Sequence, residues 1–200
     1  MKIYEMLLGE DDLLGVNAVS LVNTPAIMSD WVALGDQKPI LLAEVSKDKQ
    51  VLLGAALIPD KPIFRKGENG AEDFYIYFSK ETIAKTAQNF FKNNNQNNAT
   101  LEHDVKLAGM TIFESWIVED SKLDKSAKYG LNLPEGTWAI SMKVDDQDVW
   151  DNYIKNDKVF GFSIEGQFSN ALRRESDMNF SDEVLDKTLD MIRQIVKENI

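Results

Sequence analysis

The stretch VFGFSIEGQF, residues 159–168, decides how the chain reads. Strand alternation puts Gly161, Ser163 and Glu165 on one face and Phe160, Phe162 and Ile164 on the other. The second face is apolar and fit for a core, so the segment reads as a half-buried β-strand. The first face carries a hydroxyl between a bare glycine and an acid. Gly161 and Gly166 let other backbone come close to this strand. A serine so placed presents its oxygen to a groove. Serines in half-exposed strands are common, however, and one acts as a nucleophile only beside a base.

The single histidine of the chain is His103, within ATLEHD, residues 99–104. Most lone histidines are surface residues or hydrogen-bonded core residues, and a side chain that titrates near neutrality is not catalytic on that account. As the sole imidazole it is the candidate base for Ser163. Other chemistries fall away on residue type. One histidine and no cysteine cannot build a zinc site. The acidic runs DDQD and EDSKLD lack the spacing and the glycine of a calcium loop, and no phosphate-binding glycine pattern follows a strand. No metal and no cofactor is expected.

Outward from these two segments the chain reads as mostly β with flanking helices, an α+β class. KIYEMLLG, GVNAVSLV, KPILLAEV, QVLLGAALI and DFYIYFS are strand-like runs punctuated by Gly, Asp, Pro and Lys. Ser79 then caps a helix with Ile83, Ala87, Phe90 and Phe91 on one face. That helix ends in KNNNQNN, whose asparagines suit left-handed turns. ATLEHD and GMTIFESWIVED read as strands joined by the connection VKLA. SKLDKSAKYGLNLPEG is a polar excursion, TWAISMKV a strand and DDQDVWDNYIKND a short helix. Residues 169–181 read as a polar linker. Residues 182–200 form an amphipathic helix with Leu185, Leu189, Ile192 and Val196 on one stripe.

The 200 residues suit one domain with an extra arm. Hydrophobic content of 44% and charged content of 28% are those of a globular chain. A net charge of −11 argues against nucleic acid as a partner, since phosphate contacts need clustered Lys and Arg. The longest apolar run, VLLGAALIP, is too short to span a bilayer, and MKIYEMLLGEDD meets acids too early for a signal peptide. Together with the lack of cysteine, this predicts a soluble intracellular protein.

LLGAALIPDKPIFRK, DFYIYFSKETI, LEHD, ESWIVED, YGLNLPEGTWAISMKV and GFSIEG, in this order, resemble the XkdF-type phage serine proteases. That family is similar to the prohead proteases of tailed bacteriophages and to herpesvirus assemblins. The resemblance covers residues 1–168 and implies an assemblin-like β-barrel over that span. It implies a maturation endopeptidase that cleaves scaffold and major capsid protein precursors inside the prohead, in the host cytoplasm. By position, LEHD supplies the family's histidine as His103 and GFSIEG its nucleophile as Ser163. In the commoner prohead proteases an EISLV-like strand with a Pro-Ala step follows the nucleophile. Here the matching string, NAVSLVNTPA, stands at residues 17–26. The expectation is therefore a circularly permuted barrel in which the strand around Ala18 to Val22 pairs near Ser163, and in which His103 and Ser163 lie on neighbouring strands.

The acid of that motif falls on Ala18, so another residue must orient the histidine. Glu102 and Asp104 flank His103 and would point to the opposite face of a strand. Glu165 shares the face of Ser163 about 6.5 Å along the strand and ranks first, ahead of Glu114 and Asn17. Arg173 and Arg174 are candidates to assist an oxyanion hole, though a basic pair in a polar linker is usually just solvated. The alternative function is a head-assembly protein that keeps the fold without the activity. Since herpesvirus relatives work as dimers, the C-terminal stripe is expected to bind a second copy.

Overall fold

The computed structural model describes residues 2–8, 15–28, 42–46, 49–67 and 70–172. In chain order the elements are β1 (Lys2–Leu7), β2 (Gly15–Val22), β3 (Leu42–Ser46), β4 (Val51–Leu57), β5 (Ile63–Arg65), β6 (Phe74–Tyr77) and α1 (Lys80–Lys92). Then come β7 (Ala99–Leu101), β8 (Val105–Leu107), β9 (Met110–Ile117), α2 (Lys125–Lys128), β10 (Trp138–Val144), α3 (Gln147–Val149), β11 (Gly161–Gln167) and β12 (Ser169–Leu172).

The described strands do not close into one barrel. They form three open four-stranded sheets, in the orders β12-β1-β6-β5, β3-β4-β10-β9 and β11-β2-β7-β8. Sequence pattern explains which strands are central. VLLGAAL of β4 is buried throughout, as is nearly all of WAISMKV in β10, and the two pair antiparallel in mid-sheet. Such continuous apolar runs suit strands covered on both faces. GVNAVSLV of β2 is buried except at Asn17 and pairs antiparallel with β11 and parallel with β7. The expected pairing of the Ala18–Val22 strand with the Ser163 strand is thus present.

One hydrophobic core serves all three sheets, with Val19, Leu21, Leu53, Trp138, Ile140 and Phe162 among its buried members. The helix α1 closes it. Its cap Ser79 accepts a hydrogen bond from the Thr82 N–H, Glu81 and Lys92 lie at the ends that favour their charges, and Ile83, Ala87 and Phe90 are buried. Phe90 meets Trp138 edge-on with ring centroids 5.4 Å apart. Beyond the helix, Asn94 takes the left-handed conformation (φ 57°) that its residue type tolerates.

Several local expectations change. VKL is not a connection but the strand β8, and the excursion after residue 120 contains α2. The short helix after Asp146, the cap of α3, continues as a π-turn over Trp150–Ile154. Residues 169–172, expected as linker, form β12 and pair antiparallel with β1. The rest of that linker, Arg173 and Arg174 included, and the helix expected over 182–200 lie outside the described residues. Among the described residues no helix is long and apolar enough to cross a membrane.

Candidate active site

The sheet β11-β2-β7-β8 carries the candidate residues. Ser163 pairs across β2 with Ser20, and Ser20 pairs with Thr100 on β7. Residues directly opposite share a face, so three hydroxyl side chains line up across three strands. Glu165, two positions along β11, shares this face and lies opposite Ala18. The alanine methyl leaves the space above β2 open. The Glu165 carboxylate therefore reaches across, accepts a hydrogen bond from the Thr100 hydroxyl and lies 3.2 Å from His103 Nδ1. An ionised carboxylate only accepts, so this contact favours the proton on Nδ1, and in the neutral ring that leaves Nε2 as the basic nitrogen. That is the tautomer a general base requires.

His103 is not on a strand. Leu101–Asp104 is a tight turn, closed by the Asp104 N–H donating to the Leu101 carbonyl at 3.1 Å. Both central residues, Glu102 and His103, have positive φ, 51° and 62°. Hairpin turns of this hand normally use Asn-Gly, and the left-handed region costs other residues roughly 1–2 kcal/mol each. The strain is held by β2 and the residue after it. The Glu102 N–H donates to the Leu21 carbonyl at 3.0 Å, and the Glu102 carboxylate accepts the Asn23 N–H at 2.7 Å. The His103 N–H donates to Ser20 Oγ at 3.0 Å.

Ser163 is buried, 8% exposed, with Phe162 behind it in the core. Two close approaches explain its glycine neighbours. A Cβ on Gly161 would lie 2.0 Å from Pro25 Cγ, and one on Gly166 would lie 2.1 Å from the Gly15 carbonyl oxygen. Proline at 25 therefore packs on the bare face beside the serine. His103 and Ser163 are not on neighbouring strands as expected, because β2 lies between β11 and β7. The Ser163 hydroxyl makes no hydrogen bond among the described residues, to His103 or to any other. Hydrogen bonds of catalytic groups are often long before substrate is bound.

The remaining acids separate cleanly. Glu102 braces the turn and Asp104 closes it. Glu114 stands in the sheet β3-β4-β10-β9 and pairs with Lys125. Burial pushes its carboxyl up, but the Lys125 hydrogen bond, the Ser141 hydroxyl opposite and the Lys125 charge together outweigh that and hold it below the ordinary glutamate range. Asn17 is exposed, and its carbonyl accepts from Asn98. On the Glu165 face, a cleft of 390 Å³ continues past the carboxylate, lined by Ala18, Asn98, Thr100 and Lys106. A second cavity, of 210 Å³, touches Ser163 and is lined mainly by apolar side chains such as Ile27, Leu57, Phe78 and Phe162. Among the described residues no three metal-binding side chains cluster.

Sequence reading missed Ser20 and Thr100. The available signal was a small hydroxyl inside each of two otherwise apolar strand segments, VSLV and ATL. No curated protein and no solved structure matches the chain. The family described as "Putative phage serine protease XkdF" matches residues 40–171, a span that holds His103, Ser163 and Glu165 but begins after β2. That match covers more than half of the sequence, and the chain belongs to the XkdF family so described.

Proposed function

We propose that this protein is a serine endopeptidase of phage head maturation that works through Ser163, His103 and Glu165. The observation that carries the reading is the 3.2 Å contact of Glu165 with His103 Nδ1, on the strand face that also holds Ser163. Ser163 Oγ attacks the scissile carbonyl while His103 Nε2 takes its proton, and the same proton later passes to the leaving amine. Glu165 holds the ring in the required tautomer and offsets the charge of the imidazolium. The Thr100 hydroxyl fixes the carboxylate from the other side. The substrates proposed are scaffold and major capsid protein precursors inside the prohead.

The permuted arrangement belongs to this reading. If β2 stands for the strand that follows the nucleophile in prohead proteases, its acid position is Ala18. Ala18 faces Glu165 in the register, so the carboxylate has moved one strand over at the same level of the sheet. A permuted assemblin-like barrel, opened into three sheets, accommodates that exchange. The proposed dimer uses the stripe of Leu185, Leu189, Ile192 and Val196. Because β12 belongs to a sheet, its test is truncation after Leu172 and not earlier, with the native mass measured. A truncated form that keeps the full-length oligomeric state excludes that stripe as the interface.

A serine-reactive phosphonate, followed by mapping of the modified residue, tests the enzyme reading. Modification of Ser163 that requires His103 is the result expected. A folded protein that stays unmodified favours the non-enzymatic head-assembly role.

A further inference from the structure

We infer that Ser20 is a positioning residue that sets the place of His103 through the backbone, an inference that rests on the protease reading above. Ser20 lies in the middle of β2 and is completely buried. A buried hydroxyl must find partners, and this one has two. It donates to the Thr100 carbonyl at 3.4 Å and accepts the His103 N–H at 3.0 Å. One oxygen thus joins the strand that leads into the turn to the residue that bears the imidazole.

The turn needs such a tie. Glu102 and His103 both sit at positive φ, where neither residue type rests easily. Three hydrogen bonds hold them: Ser20 to His103, Leu21 to Glu102 and Asn23 to the Glu102 carboxylate. On the β2 side, Leu21 and Asn23 contribute main-chain groups, which any sequence supplies. Ser20 alone contributes a side chain. Its backbone is also the register partner of Ser163. The same residue therefore fixes the nucleophile's strand on one side and the base's turn on the other, with β2 as the spacer between them. Loss of the acceptor leaves the part-buried His103 N–H without this partner and frees the turn to relax toward negative φ, which swings the ring off Glu165.

The test uses the full chain and the fact that His103 is its only histidine, so imidazole resonances need no assignment. Ser20→Ala, Ser20→Cys and Ser20→Thr are compared with wild type. Two quantities are read: the rate of phosphonate modification at Ser163, and the histidine Nδ1–H signal, which shifts downfield when bonded to a carboxylate. Sheet amide resonances report folding in each variant. In Ser20→Ala the modification rate falls at least tenfold and the downfield signal is lost while the sheet resonances persist. Cysteine, a weak acceptor of similar size, behaves like alanine, and threonine recovers the rate to within about threefold and restores the signal. A folded Ser20→Ala with wild-type rate and an unchanged imidazole signal overturns the inference. So does a parallel loss of all sheet resonances in the alanine and cysteine variants, since Ser20 would then be a residue of the fold. If wild-type Ser163 never reacts while the imidazole signal responds as described, the positioning role stands and the protease reading falls.

Discussion

Glu114 and Glu165 are two versions of one arrangement in two sheets. Each projects from a β-strand near a serine: Ser141 directly opposite the first, Ser163 two positions before the second. Glu114 is held by the Lys125 ammonium, Glu165 by the His103 imidazole with help from a threonine. An ammonium at neutral pH keeps its proton, so the first pair only anchors the strand to the start of α2. An imidazole accepts and passes on a proton in that range, so the second pair has chemistry available. The serines differ in the same sense, since Ser141 is wholly buried and Ser163 retains some exposure. What separates a brace from the proposed reaction centre is the chemistry of the partner and the access to the hydroxyl, and not the carboxylate.

The sharpest way to break the contrast is to remove each hydroxyl. Ser163→Ala is expected to lower proteolysis by about four to six orders of magnitude, down to the residual level that binding alone supports. Ser141→Ala should leave activity within about threefold of wild type. Peptide-bond cleavage of a scaffold-derived substrate, read by mass spectrometry, decides it. Equal losses would erase the distinction between the two sheets.

The carboxylates come next. Glu165→Gln keeps the shape but presents an amide that can stabilise the wrong tautomer, and the loss in kcat should be about 10³–10⁴-fold. Glu114→Gln should cost activity nothing measurable. Steady-state kinetics on both variants would reverse the ranking if Glu114 were the orienting acid.

How much of this was legible without coordinates depends on the range of the interaction. The strand of Ser163, its apolar back face and the Ser79 cap are local patterns, and the chain states them plainly. Glu165 was legible as well, since alternation along one strand puts it on the serine's face. The turn at Glu102 and His103 was not. A tight turn of that hand announces itself through Asn-Gly, and here two long side chains occupy it because β2 holds them from outside. The insertion of β2 between the strand that leads to His103 and the strand of Ser163 is likewise a pairing between distant residues, which no local period records. Residues 169–172 looked like linker because polar residues on an edge strand carry little alternation.

A smaller effect tests how tightly the sheet β11-β2-β7-β8 is packed beside Ser163. Gly161→Ala forces a methyl into Pro25 and is expected to cost about 1–3 kcal/mol of stability, seen as a lower Tm. A neutral result would mean that Pro25 moves freely away from the strand beside Ser163.

The smallest effect belongs to the Glu114–Lys125 pair. Its carboxyl is held below the ordinary range in the fold, so protonation favours the unfolded chain. The stabilisation is complete above the unfolded glutamate pKa of about 4.3 and is lost as pH falls through the lower folded value. Because both side chains are partly exposed, it should stay below about 1 kcal/mol. Denaturant midpoints of wild type and Glu114→Gln should differ slightly at pH 7 and converge once the pH falls below the lowered folded value. A difference that grows on acidification would have the wrong sign.

The order of the strands also dictates when the molecule can begin to act. β1 sits between β6 and β12, and β2 sits between β7 and β11. Each early strand therefore waits for a partner made near the other end of the described chain. While the polypeptide is leaving the ribosome, β3-β4-β10-β9 can assemble before residue 161 has been synthesised, whereas the sheet that holds His103 cannot gain its serine strand. Pairings of such long sequence separation are also the slow ones to form. On the proposed reading a nascent chain is therefore inert toward its neighbours, and proteolytic power arrives only after translation has passed the strand that carries Ser163.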